Sequence, residues 1–169
     1  MKNTANVSVI WSYIASFFIV IAGSGCASNP DHAALGASRT DVISAYGQPS
    51  ADFVLPTGSR LQYSRQPFGR QVYNIDLDAS GKVASAQQVL SELQFAQVQP
   101  NTWKAADVER AFGKPGMVTQ VGNFSGKIWV YRYDYYGSNK LFQVAIDAAG
   151  VVREVGMAEE VERRMDWKD

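Results

Sequence analysis

The chain has 169 residues, 16 basic against 16 acidic side chains, one histidine and one cysteine. Balanced charge gives no electrostatic reason to expect a nucleic-acid partner. One cysteine excludes an intramolecular disulfide, and one His with one Cys leaves little from which to build a metal centre or a nucleophilic pair.

Residues 1–25 read as a secretory signal peptide. Lys2 is the only charge before Asp31, Val7 to Ala22 is almost wholly apolar, and Gly23, Ser24 and Gly25 form a small-residue exit. The apolar run is short for a span, which takes roughly 20 residues. Ala22-Gly23-Ser24-Gly25-Cys26 resembles the lipobox of bacterial lipoproteins, although Gly23 stands where an aliphatic residue is usual. The expectation is cleavage before Cys26, lipid on that cysteine and membrane attachment through the lipid. One acyl chain holds only marginally, so stable anchoring needs more than one, and the resemblance implies three. Ala27 after the cysteine implies sorting to the outer membrane, facing the periplasm. An uncleaved anchor, or an ordinary signal with an incidental cysteine, are the alternatives.

Residues 26–37, small and polar, are expected to form a flexible tether. Beyond them the sequence repeats in order. Thr40–Pro49 (TDVISAYGQP) aligns with Ala106–Pro115 (ADVERAFGKP) at an offset of 66, Gly58–Ser64 with Gly126–Arg132 at 68, and Tyr73–Val83 with Phe142–Val152 at 69. That period exceeds the roughly 20–50 residues of solenoid units, so it reads as one fold made twice, at residues 38–90 and 91–157.

Each unit predicts a short helix with Asp41 or Asp107 early, ended at Gly47 or Gly113 and barred from continuing by Pro49 or Pro115. Strands of period two follow, including Arg60–Ser64, Tyr73–Leu77 and Trp129–Tyr135. Asp78–Gly81 and Asp147–Gly150 carry hairpin-turn chemistry. Between the units, Ser91 to Pro100 offers another helix, packing through Leu93, Phe95 and Ala96. Residues 158–169 read as a charged tail, possible as a frayed helix with Val161 and Met165 on one side. The class expected is α+β, with one antiparallel sheet of about eight strands covered on one face by helices.

The anchors V-x-x-x-[YF]-G-x-P, aromatic-x-Tyr (Trp129–Tyr131) and D-A-x-G-x-V resemble the SmpA/OmlA family of BamE-type outer-membrane lipoproteins. Their tandem arrangement is similar to the β-lactamase inhibitor protein fold. The resemblance covers about residues 35–157. It implies a protein-binding module of the envelope, in outer-membrane assembly or maintenance, or else an inhibitor or sequestering module for an envelope enzyme.

Catalytic parts are few. His32 lies in the expected tether, Cys26 is spoken for by lipid, and Asp76 with Asp78 reads as a strand end plus a turn residue. No enzyme, metal, cofactor or small-molecule substrate is expected. Trp129, Tyr131, Tyr133 and Tyr135 form a stripe that reads as core. The opposite face, Arg132, Asp134 and Tyr136, with Arg65 and Arg70 on the equivalent hairpin, is the expected contact surface for an envelope protein.

Overall fold

The computed structural model describes residues 29–122 and 124–161. The signal peptide, Cys26 and most of the charged tail lie outside the described residues.

Helix α1 spans Arg39–Tyr46. Its N-terminus is closed by a reciprocal box: the Asp41 backbone N–H donates to Ser38 Oγ, and Asp41 Oδ2 accepts from the Ser38 N–H at 3.0 Å. It ends at Gly47, where φ 79° and ψ −168° lie in a region that is essentially glycine's own. Four strands follow as an antiparallel meander: β1 (Ala51–Leu55), β2 (Gly58–Ser64), β3 (Val72–Leu77) and β4 (Val83–Gln88). Asp78 closes the β3–β4 turn by accepting the N–H groups of Ser80 and Lys82.

The plan then recurs. After α2 (Glu92–Phe95) comes α3 (Ala105–Phe112), ended at Gly113 with φ 81° and ψ −175°. Asp107 accepts from the Lys104 N–H at 2.9 Å, but a lysine side chain has no acceptor to return the second half of the box. Strands β5 (Met117–Thr119), β6 (Gly126–Tyr135), β7 (Ser138–Asp147) and β8 (Val152–Glu159) form a second meander. Asp147 accepts from Ala149 and Val151 where Asp78 accepts from Ser80 and Lys82. Both meanders shift register at the matching place, Asp76/Leu77 and Ala145/Ile146.

The expectation of one continuous sheet is corrected: the eight strands form two separate four-stranded sheets. The reason lies in the second face of the first sheet. Gln62 and Asn74, polar residues between the core positions of β2 and β3, are 1% and 2% exposed. Gln62 Nε2 donates to Asn74 Oδ1 at 3.0 Å and to the Glu109 and Arg110 carbonyls at 3.3 Å, while Asn74 Nδ2 donates to the Ala111 carbonyl at 2.8 Å. These are carbonyls of the last turn of α3: that of Glu109 also accepts the Gly113 N–H at 2.8 Å, whereas the helix leaves those of Arg110 and Ala111 for outside donors. The second unit therefore docks helix-to-sheet on the first instead of extending it edge to edge. The layers run α1, first sheet, α2 with α3, second sheet, so the first sheet is covered on both faces and the second on one.

Two apolar clusters result. One joins Val42 of α1 to Leu61, Tyr63, Tyr73, Ile75 and Leu77. The larger gathers Phe95, Val108 and Phe112 against Tyr131, Tyr133, Phe142 and Val144, and takes Val72 from the first sheet. Phe95 stacks on Phe142 at 3.9 Å and meets Tyr133 edge-on at 4.9 Å. Such ring pairs add about 0.5–1.5 kcal/mol each beyond buried area. Tyr131 and Tyr133 of the aromatic stripe are fully buried, Trp129 is half-buried against the same cluster, and Tyr135 emerges at the end of β6. Leu93 and Ala96, expected to pack, are exposed; α2 is held by buried Phe95 and by Glu92, which accepts from the Tyr133 hydroxyl at 3.2 Å.

The expected tether is packed from residue 29 onward. Pro30 is buried in a short 3-10 helix (Pro30–His32), Ala33 and Ala37 rest on the first core, and Gly36 and Ala37 exchange backbone hydrogen bonds with Val83. At the other end β8 runs through Ala158 and Glu159, so the first two residues of the expected tail are strand.

Candidate functional site

The uncovered face of the second sheet carries a groove of about 850 Å³. Its floor is Val130 of β6 with Leu141 and Gln143 of β7. Pro67 and Phe68 from the β2–β3 loop form part of its wall, with Gly116 and Met117 at the start of β5 and Ala158–Val161 where the chain leaves β8. Val130 is 2% exposed, whereas Phe68 is 91% exposed, Val161 82% and Met117 54%. An apolar floor beneath exposed apolar rims is the kind of surface that marks an interaction site.

Local chemistry holds the wall in place. Gln66 Nε2 donates to the Arg132 carbonyl at 2.6 Å, and the Arg132 guanidinium donates to the Pro67 carbonyl at 3.3 Å, so the β2–β3 loop is tied to β6. Gly116 permits the approach, since a Cβ there would stand 2.2 Å from Gln66 Oε1.

At one end of the groove sits a three-charge cluster. Glu160 accepts from Arg70 Nη2 at 2.9 Å, and its other oxygen lies 2.6 Å from Arg132 Nε. Burial pushes the Glu160 carboxyl up, but the guanidinium groups of Arg132 and Arg70 outweigh it and hold the group below the usual carboxylate range. The glutamate comes from the end of β8, one arginine from β6 and the other from the first unit, so the cluster also locks the two units together.

The expected contact residues are thus only partly assembled. Arg132 and Arg70 meet through Glu160. Arg65 points elsewhere: it donates to Asn29 Oδ1 at 2.9 Å and its guanidinium stands 5.6 Å from the Tyr73 ring centre, beside the first core. Asp134 accepts from the Gly137 N–H at 3.1 Å and shapes the β6–β7 turn. Tyr136 sits in that turn at φ 50°, 92% exposed, its ring edge-on to Tyr135. It is a loop tip and does not belong to the strand face. Of the other residues weighed, Asp76 forms a two-point ion pair with Arg60 at 2.6 and 2.8 Å. His32 is exposed, 4.0 Å from Asp31. Among the described residues no three His, Cys, Asp or Glu converge as a metal site, and no helix is long and apolar enough to cross a membrane.

Sequence reasoning missed Glu160, Phe68 and Met117. One signal was available. Val130 and Leu141 are apolar at positions that should be polar on a solvated sheet face, and pairing β6 with β7 would have placed them together.

No protein-family model matches the chain, and no curated protein matches it. Among solved structures it is similar to a DUF4309 family protein from Bacillus subtilis, at 14% identity over 73% of this chain and 79% of that one, with a TM-score of 0.32. It is also similar to an extracellular protein containing an SCP domain from Bacillus anthracis, at 12% identity over 80% of this chain and 54% of that one, with a TM-score of 0.29. At these scores neither similarity carries an argument about fold or function.

Proposed function

We propose that this chain is a non-enzymatic lipoprotein of the outer membrane, related to the SmpA/OmlA type, that grips another envelope protein through the open face of its second sheet. The supporting observation is the asymmetry of the two sheets. The first has both faces occupied, whereas the second presents Val130 and Leu141 beneath Phe68, Met117 and Val161. Aromatic and aliphatic side chains around a desolvated floor supply the centre of a protein interface, and the arginines at its end supply a polar rim. The signal sequence and Cys26 support the envelope location, and work in assembly or maintenance of the outer membrane follows from the family resemblance.

The test is crosslinking and pull-down of the native lipoprotein from its own envelope. Phe68→Ala and Leu141→Asp should reduce capture of a discrete envelope protein while the far-ultraviolet dichroism stays unchanged. Tyr136→Ala, away from the groove, should leave capture close to wild type. Recovery of no envelope protein, or equal capture by the Leu141→Asp variant, defeats the reading.

A further inference from the structure

The second sheet has a free edge as well as a free face. Of the four edge strands β8 is the longest, with eight residues against six in β4, five in β1 and three in β5. Its start is occupied: the Asn101 N–H donates to the Val152 carbonyl at 2.7 Å, and the Val152 N–H donates to the Trp103 carbonyl at 2.9 Å. Beyond the register shift that passes over Arg153, the ladder to β7 is regular. In an antiparallel ladder only alternate residues turn their backbone groups toward a given neighbour. The Glu160 N–H donates to the Asn139 carbonyl at 2.9 Å, which fixes the phase. Ala158 and Gly156 therefore turn to β7, while Val155, Met157 and Glu159 turn their N–H and C=O groups away from it. No other described segment supplies partners for them. Sheet edges are commonly guarded by charge, proline or short length. Val155, Gly156, Met157 and Ala158 carry no charge, Met157 is 49% exposed, and a Cβ on Gly156 would meet nothing within 4 Å. Unpaired extended backbone of this kind takes another extended strand.

We propose that this edge binds β8 of a second copy of the chain, antiparallel and centred on Met157. In that register Met157 faces its own counterpart, Val155 faces Glu159 of the second copy, and Glu159 faces its Val155. Every outward-turned residue finds a partner, and each facing pair exchanges both of its backbone hydrogen bonds. The strand is self-complementary in its side chains as well. On the open face Gly156 meets Ala158 of the second copy, small against small. On the core face the two Met157 side chains cover each other, and the Glu159 carboxylate keeps Lys140 at 3.7 Å. Glu154 falls opposite Glu160 of the second copy, whose charge Arg70 and Arg132 already balance. The pairing stops short of Val152, so Asn101 and Trp103 stay in place. A register centred on Gly156 instead sets Glu159 against Arg153 at the bulge, whose side chain Asp147 and Asn101 hold. The contact is isologous and closes with two chains. It joins two four-stranded sheets into one, with both grooves open on the same side, because the two-fold axis stands perpendicular to the sheet. This pairing goes beyond the proposed grip on an envelope protein and stands without it.

The experiment is a cysteine scan of the full-length chain, with Val155→Cys, Gly156→Cys, Met157→Cys and Ala158→Cys made singly and the unaltered chain as the control for Cys26. Mild oxidation should link two chains through Met157→Cys far more than through the other three. Only residue 157 meets its own counterpart, and facing hydrogen-bonded residues stand about 5.5 Å apart, within disulfide reach. A maximum at Gly156→Cys, equal yields throughout, or no linked pair overturns the proposal. In sedimentation the unaltered chain should run as two chains. Met157→Lys, which sets like charges face to face, should run as one with unchanged far-ultraviolet dichroism. A single-chain mass for the unaltered protein, or a two-chain mass for Met157→Lys, overturns the pairing. So does a Met157→Lys variant that loses an envelope protein while the unaltered chain is itself single, since the edge then takes a strand from a different protein. Leu141→Asp should keep the two-chain mass, so a failed pairing and a failed groove are read separately.

Discussion

The Tyr131 hydroxyl donates a 2.8 Å hydrogen bond to the carbonyl of Gly113, the residue that closes α3, and Tyr63 does the same for Gly47 behind α1 at 3.0 Å. In each unit one strand tyrosine thus fixes the helix to its sheet. The two bonds differ in setting: Gly113 is buried and Gly47 is exposed. Tyr131→Phe leaves a carbonyl without water or partner and should cost about 1–3 kcal/mol. Tyr63→Phe should cost less, because water can replace its hydroxyl at Gly47. Urea denaturation of both variants compares them.

Alkaline stability follows from the same stripe. Burial, with the neighbouring Glu92 carboxylate, pushes the Tyr133 phenol up to about 12, and burial raises Tyr131 further. A group whose folded value is raised stabilises fully below its unfolded value, about 10 for tyrosine. That contribution is lost as pH rises through the folded value. Stability should therefore decline from about pH 10 toward 12, and Tyr133→Phe should flatten the decline when dichroism and phenolate absorbance are followed together.

On the acid side the sign reverses at Glu160. Its folded value is depressed by Arg132 and Arg70, so its contribution is present above the unfolded value of about 4.3 and is lost as pH falls through the folded value. Glu160→Gln should weaken the protein at neutral pH and make it less sensitive to acid. The residual sensitivity belongs to Asp41, Asp78 and Asp147, which backbone and side-chain hydrogen bonds also hold low. Thermal midpoints measured from pH 7 down to 3 separate the two contributions.

The helix-ending glycines offer a matched pair. Both occupy backbone angles that cost other residues about 1–3 kcal/mol. A Cβ on Gly47 would meet nothing within 4 Å, whereas one on Gly113 would lie 3.1 Å from Gln62 Oε1, a side chain held by Asn74 and α3. Gly113→Ala should therefore be the more destabilising of the two in chemical denaturation. Equal losses would show that Gln62 gives way freely.

Asn74 joins the units, with Nδ2 on the Ala111 carbonyl and Oδ1 accepting from Gln62. Asn74→Ala should cost about 1–3 kcal/mol, because it orphans the Ala111 carbonyl and takes away the shortest of the bonds Gln62 donates. It should also speed amide exchange at the carboxyl end of α3 more than in β2. Uniform acceleration across both units would show that the bond stabilises the whole molecule without holding that helix in particular.

Much of each unit was legible before any coordinates. Asp41, Gly47 and Pro49, and the Asp78 and Asp147 turns act through neighbours a few residues away, and local sequence specifies such contacts. Period two in Trp129–Tyr135 placed Tyr131 and Tyr133 in the core. The binding groove was much less legible. Phe68, Met117, Leu141 and Glu160 come from four separate segments, and nothing local ties them together. Arg65 and Arg70 look alike five residues apart, yet one turns to Tyr73 and the other to Glu160.

What the sequence determined by itself is the repeated unit: a capped helix and four hairpin-linked strands, written twice because each bond that shapes them is short in range. What tertiary structure alone decided is how the copies meet. Gln62 and Asn74 look like solvated strand positions until the carbonyl end of α3 arrives needing donors. That meeting covers the first sheet on both sides, stops the two sheets from merging, and leaves one face of the second sheet open.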